Sequence, residues 1–229
     1  MAVVFQVRVP IRDYLRRDPV AALAHARSCI ELCDEVGMPD RKAETQIFEG
    51  WALAELGEAE RGIELINRGR EFWEFAGAKI ADPVFLSVLA TALLKAGRLD
   101  DARAAVGDGL AQIGRTGERM WQAELHRLDG EISLAMNGNG TAQAQASFVK
   151  AIDVAQELKA RLFELRATAS LARLWQGQGR PKEALELLAP IYNWFTEGFD
   201  TPDLKEAKAL LTELRCEIAS NYDPTPEVA

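Results

Sequence analysis

The chain has 229 residues, 48% of them hydrophobic and 27% charged. That is ordinary globular composition, with apolar material for a continuous core and no bias toward wholesale disorder. The formal net charge of −8 would meet a long phosphate backbone with repulsion, which argues against a nucleic acid partner, although Arg8, Arg12, Arg16 and Arg17 form one dense basic stretch.

The longest apolar run, VFLSVLATALL at 84–94, is short of the roughly 20 residues that cross a bilayer. The first residues lack the apolar core and small-residue site of a secretory signal, and three cysteines make no disulfide framework. The expectation is a cytoplasmic protein with no membrane partner.

Taken in chain order, apolar periodicity and capping signals predict helices near 4–16, 19–36, 41–56, 58–76, 83–96, 99–114, 118–136, 141–158, 160–178, 181–195 and 202–219. The first is interrupted by Pro10, and AVVFQVRV at its start also fits a strand. Asp18-Pro19, Asp82-Pro83 and Thr201-Pro202 each place a capping side chain before a proline suited to the first helical position. Gly37, Gly57, Gly77, Gly97 and Gly114 are suited to closing helices in the left-handed conformation. NGNGT at 137–141 is the loosest internal turn, and NYDPTPEVA at 221–229 is expected to be a flexible tail.

A repeat underlies these helices. GEAERGIELINRG from Gly57, GRLDDARAAVGDG from Gly97 and GRPKEALELLAPI from Gly179 share one phase. Five, nine and twelve residues after each glycine stand Gly62, Ile66 and Gly69; Ala102, Val106 and Gly109; Ala184, Leu188 and Ile191. The same offsets give Ala144, Phe148 and Ala151 from Asn139, and Ala22, Ala26 and Cys29 from Arg17. The anchors 17, 57, 97, 139 and 179 are separated by 40, 40, 42 and 40 residues.

Offsets of four and three put these side chains on one helical face, where small residues admit a neighbouring helix and larger ones fill the gap. Each unit is then an antiparallel helix pair, and the chain an all-α, tetratricopeptide-like superhelical solenoid with a period of about 40 rather than 34 residues. A single domain over 1–220 is expected, with units near 1–38, 39–78, 79–116, 117–158 and 159–197 and a cap at 198–220. Trp194, Phe195 and Phe199 are expected to fold back and seal the end of the array, as terminal repeats must. The competing reading makes them an exposed aromatic recognition loop.

Candidate chemistry is sparse. His25, Cys29 and Cys33 lie four residues apart on one helical face, the best metal-ligand spacing in the chain, but Cys29 is also a phased packing position and no fourth ligand is evident. Cys216 has no neighbouring histidine to activate it. Around His126, the charges Glu124, Arg127, Asp129 and Glu131 have the spacing of a solvated helix face. The Gly-Arg starts of GRPKEA and GRLDDA fit a repeat turn better than an anion site, and no Gly-Lys dipeptide offers a phosphate loop.

No catalytic residue, cofactor or metal is therefore assigned. The concave wall formed by successive first helices is the expected binding surface, with Glu44, Trp51, Glu55, Lys95, Glu124, Arg127, Arg166, Arg173 and Gln176 as groove residues.

Three blocks carry a resemblance: RTGERMWQAELHRLDGEISL at 115–134, ELRATASLARLWQGQGR at 164–180 and LLAPIYNWFTEGFDTPDLKEAKALLTEL at 187–214. They look like the C-terminal helical-repeat region of large bacterial signalling proteins in which a class III adenylate or guanylate cyclase domain precedes an AAA-like, STAND-type ATPase. The resemblance implies a regulatory or interaction arm and no cyclase activity, because the upstream domains are absent here. The chain would be a standalone descendant, a split gene product or an excised fragment.

The expected function is a non-catalytic scaffold that binds a protein or peptide segment, with an ATPase or cyclase module in cis or trans as partner. The alternative is a small-metabolite sensor using the same concave surface.

Overall fold

The computed structural model describes residues 9–75, 82–136 and 140–220, and eleven α-helices run through them. They are α1 (Val9–Leu15), α2 (Pro19–Val36), α3 (Pro39–Glu55), α4 (Ala59–Phe75), α5 (Asp82–Lys95), α6 (Leu99–Thr116), α7 (Gln122–Met136), α8 (Thr141–Glu157), α9 (Arg161–Gly177), α10 (Pro181–Trp194) and α11 (Pro202–Ser220). No strand occurs among the described residues; AVVFQVRV up to Arg8, Gly77, the anchor Asn139 and the tail 221–229 lie outside them. Pro10 does not break α1, because it falls in the first turn, where a missing N–H leaves no bond unmade.

The repeat anchor turns out to mark a particular backbone conformation. Arg17, Gly57, Gly97 and Gly179 have φ of 54°, 98°, 72° and 73°. At each, the next residue's N–H donates to the carbonyl five positions back: Asp18 to Asp13, Glu58 to Leu53, Arg98 to Leu93 and Arg180 to Trp175, at 2.8 to 3.0 Å. This left-handed closure satisfies the carbonyls orphaned at the end of the first helix and reverses the chain into the second. All fifteen phased positions after the anchors are buried, so anchor and packing phase are two parts of one helix hairpin.

Two capping expectations are corrected. Gly114 stays helical inside α6, which continues one turn further and closes at Gly117, φ 73°, whose N–H reaches the Ile113 carbonyl at 2.8 Å. Asp18 caps α2 by accepting from the Ala21 N–H at 3.0 Å. Thr201, by contrast, donates its hydroxyl back to the Gly198 carbonyl at 2.7 Å, which tightens the turn before α11.

The hairpins stack so that each helix packs on its neighbour in sequence, while the odd-numbered helices α1, α3, α5, α7, α9 and α11 also pack on one another in a continuous row. Among the described residues that row forms the inner wall. The even helices lie outside it and carry the phased small residues toward it.

At the C-terminal end, Leu204, Ala207, Leu210, Leu211 and Leu214 of α11 cover Leu188 and Ile191 of α10. This corrects the expected aromatic seal: Phe195 packs against the cluster, but Trp194 is 55% and Phe199 46% exposed. Spacings of three and four align the α11 leucines on one face, so they supply the cover, and of the three aromatics Phe195 alone joins the cluster. Trp194 meets Phe195 edge-on at 5.2 Å and lies under the Arg161 guanidinium at 5.3 Å.

Candidate functional site

The inner row lines a half-open cavity of about 440 Å³. Helical spacing delivers its walls: Glu124, Arg127, Leu128 and Glu131 on α7, and Arg166, Ala169, Ser170 and Arg173 on α9, each follow the i, i+3, i+4, i+7 stripe of one helix face. Trp51 and Glu55 come from α3, Leu94 and Lys95 from α5, Tyr14 and Arg17 from α1 and the turn after it, and Asp203 and Glu206 from the first turn of α11.

Every charged group lining the cavity has an opposite partner. Lys95 pairs with Glu55 at 3.0 Å. Arg127 grips both Glu124 oxygens, at 2.7 and 3.1 Å, and reaches Glu131 at 3.2 Å, where Ser170 also donates at 2.6 Å. Arg166 donates from Nε and Nη2 to Asp203 at 2.9 to 3.2 Å, and Nη2 also reaches the carbonyl of Leu15 at 2.6 Å.

Arg17 completes that corner with Asp203 at 3.2 Å and Glu206 at 2.9 Å, and Arg173 approaches Glu206 at 3.4 Å. The turn after α1 and the first turn of α11, 186 residues apart in sequence, are thereby joined across the cavity. Repeat arrays ordinarily connect only neighbours; here side-chain ion pairs also bridge the α1–α2 turn and α11.

Tyr14 sits at the centre of the closure. Its ring meets Trp51 edge-on at 5.0 Å and lies 5.8 Å from both Phe48 and Trp121, with Trp121 in turn 5.4 Å from Phe163. Burial, and then the nearby Glu124 charge, push the Tyr14 phenol up to about 12. For Glu124 burial works toward a higher value, but the Arg127, Arg166 and Arg17 charges outweigh it and hold the carboxyl below its ordinary range. Arg127 is stabilised as a cation in the same way: burial opposes its charge, and Glu124 with Glu131 more than offsets it.

Of the sequence-predicted groove residues, Trp51, Glu55, Lys95, Glu124, Arg127, Arg166 and Arg173 line this cavity. Glu44 lies outside it, accepting from Arg41 at 2.8 Å, and Gln176 is turned to Glu217 on α11 at 3.3 Å. The solvated-face reading of the charges near His126 is overturned for Glu124, which is buried and faces the cavity with Arg127; Asp129 instead accepts from Ser147 at 2.6 Å.

Tyr14, Arg17, Asp203 and Glu206 were not foreseen as wall residues. Arg17 had a visible signal, since it stands at an anchor where glycine is the rule. Asp203 and Glu206 looked like ordinary acids in a helix's first turns.

Of the remaining candidates, Cys29 and Cys33 are buried in the packing, whereas His25 and Cys216 are exposed. His25 Nδ1 lies 2.7 Å from Asp13 Oδ2, while the Cys29 thiol points to Thr45 at 3.5 Å and to Cys33 at 4.0 Å. Burial, then Cys29, push the Cys33 thiol up to about 11, away from the thiolate a metal needs. No group of three His, Cys, Asp or Glu among the described residues is placed to hold a metal. In the two Gly-Arg turns, Arg98 binds Asp101 at 2.7 Å and Arg180 binds Glu183 at 3.1 Å, so each arginine is paired within its own turn.

Stacked antiparallel helix hairpins around a charged inner wall define a tetratricopeptide-like solenoid. Consistent with that class, the tetratricopeptide repeat family model matches residues 83–107 and 165–190, parts of the α5–α6 and α9–α10 hairpins.

The chain superimposes on the thermophilic TPR protein TTC0263 of Thermus thermophilus with a TM-score of 0.65 and 16% identity, covering 95% of this chain and 99% of that one. On a Rap protein complexed with competence and sporulation factor the TM-score is 0.70 at 13% identity, covering 96% and 64%. A curated relative, the uncharacterized protein R02095 of Rhizobium meliloti (strain 1021), is 28% identical over 137 residues, or 60% of this chain. The match spans 13% of that relative's length. No helix among the described residues is long and apolar enough to cross a membrane.

Proposed function

We propose that this protein is a non-catalytic repeat scaffold whose inner wall binds a protein or peptide segment. The observation that carries the reading is the cavity of about 440 Å³ lined by side chains from all six inner helices and mixing apolar floor with charged wall. Apolar anchoring supplies affinity in such a site, and paired charges set register and selectivity. The resemblance of three blocks to cyclase-linked ATPases supports the finer reading of a regulatory arm in bacterial signal transduction. The bound segment would then come from an ATPase or cyclase module, in cis or in trans, in the cytoplasm. The Rap protein of similar fold, solved with a bound factor, is in keeping with this use of the wall.

A second reading is favoured by the cavity's size, which falls in the range of small-molecule sites and is closed across one side. A metabolite could occupy it and set the curvature of the array.

Peptide-display selection on the intact chain and on Lys95→Ala/Arg173→Ala, both side chains being about half exposed, separates the readings. Peptides enriched on the intact chain and lost on an equally helical variant support the first. An absence of wall-dependent peptides, together with a metabolite that raises the melting temperature of the intact chain alone, transfers the site to the second.

A further inference from the structure

Three arginines from two parts of the fold converge on two carboxylates from a third. Arg17 comes from the α1–α2 turn, Arg166 and Arg173 from α9, and Asp203 and Glu206 from the start of α11. The corner is a built one: Arg166 and Asp203 side chains are 8% and 5% exposed, and Arg166 also holds the Leu15 carbonyl at the end of α1. Asp203 and Glu206 are three residues apart and so project from one face of a helix, as the carboxylates of an acidic helical segment would.

Arg17 adds a second observation. Of the anchors described, the other three are glycine, and a non-glycine residue at φ 54° holds the left-handed conformation against a steric penalty on its Cβ. The side chain tolerated there is the one that reaches from the α1–α2 turn to α11 and contacts both carboxylates.

We propose that α11 carries a built-in competitor: Asp203 and Glu206 occupy an arginine site for an acidic partner segment, and binding that segment releases the latch joining the ends of the solenoid. The proposal rests on the reading of the inner wall as a binding surface and adds the partner's chemistry and its regulation. The cavity wall balances five basic against five acidic side chains, so lifting Asp203 and Glu206 away leaves two positive charges in excess for an acidic segment to neutralise. An incoming segment with carboxylates on adjacent turns replaces the internal pair charge for charge, whereas a basic segment meets repulsion. Because the same carboxylates hold the α1–α2 turn to α11 through Arg17, occupancy and release of that bridge are linked.

The test uses the full chain and a fluorescein-labelled hexaglutamate peptide, with hexalysine as the sign control. Asp203→Asn/Glu206→Gln is expected to bind hexaglutamate about ten-fold tighter than the unaltered chain, within the usual range of such couplings, and to show a larger radius of gyration by small-angle scattering. Adding Arg17→Gln/Arg173→Gln is expected to remove the gain. Glu206→Gln alone, at a side chain 42% exposed, provides the same comparison, with a smaller gain, should the double change compromise folding. Unchanged or weaker hexaglutamate binding at matched helicity, equal binding of hexalysine, or unchanged dimensions on removal of the carboxylates overturns the proposal. The inner-wall reading fails separately, when display selection yields no wall-dependent peptide; wall-dependent peptides that are not acidic sink the competitor alone.

Discussion

Arg166 and Asp203 form a buried two-point ion pair, Nε and Nη2 against both carboxylate oxygens, and Asp203 is shared with Arg17 while Arg166 is shared with a backbone carbonyl. Removing one member of such a pair strands the other away from water, at about 3–5 kcal/mol, whereas replacing both with apolar residues of similar volume is often near neutral. Asp203→Leu is expected to cost more than Arg166→Met, because Asp203 retains Arg17 when Arg166 is gone. The double variant should lose less than the sum of the two, a coupling that urea denaturation of the four proteins in the cycle measures.

Glycine substitutions should separate sharply by position. A Cβ on Gly62 would press on the backbone carbonyl of Gly50, which cannot move without parting α3 from α4; a Cβ on Gly107, in the exposed interior of α6, meets nothing within 4 Å. Gly62→Ala is expected to destabilise by about 2 kcal/mol or more, and Gly107→Ala to stabilise by about 0.5–1 kcal/mol through helix propensity. Gly130→Ala should fall between them, because its neighbour is the ring of Phe148 rather than backbone. Urea midpoints of the three variants rank them.

Alkali should weaken the fold through Tyr14. Its phenol is raised from 10.0 to about 12, so the stabilising contribution is complete below pH 10 and is lost as pH rises through about 12. The loss is on the order of 2–3 kcal/mol for a shift of this size. Denaturation of the wild type and Tyr14→Phe between about pH 8 and pH 12 isolates it: the difference between them should change across that interval, and a constant difference would count against the buried-hub assignment.

Acid acts through Glu124 with the opposite sign. Its carboxyl is held below the ordinary 4.5, so its contribution is complete above pH 4.5 and disappears as pH falls through the lowered folded value. Arg127, Arg166 and Arg17 face it as cations, and Tyr14 is the neutral group beside it. Glu124→Gln is expected to be less stable than wild type by about 1.5–3 kcal/mol at neutral pH and to converge with it as acid protonates the Glu124 carboxyl. Parallel pH-dependent urea titrations check both limits.

The sequence by itself determined the class of fold and its metre. Helix hairpins are local: a left-handed residue at 57, 97 or 179 closes one helix, and small or apolar residues five, nine and twelve positions later meet a helix only a few turns away. Such information lies within one unit, and repetition displays it several times. The same phase placed Glu124, Arg127, Arg166 and Arg173 on inner-row helices and hence on the wall.

Only tertiary structure decided what those charges do. Whether Glu124 faces water or a buried arginine, and whether Arg17 and Asp203 meet at all, depends on the curvature accumulated over every hairpin between them. Each turn of the array contributes a small rotation that no short stretch of residues records. The Arg17–Asp203 contact therefore emerges at 186 residues' separation, from the sum of packing angles rather than from a motif.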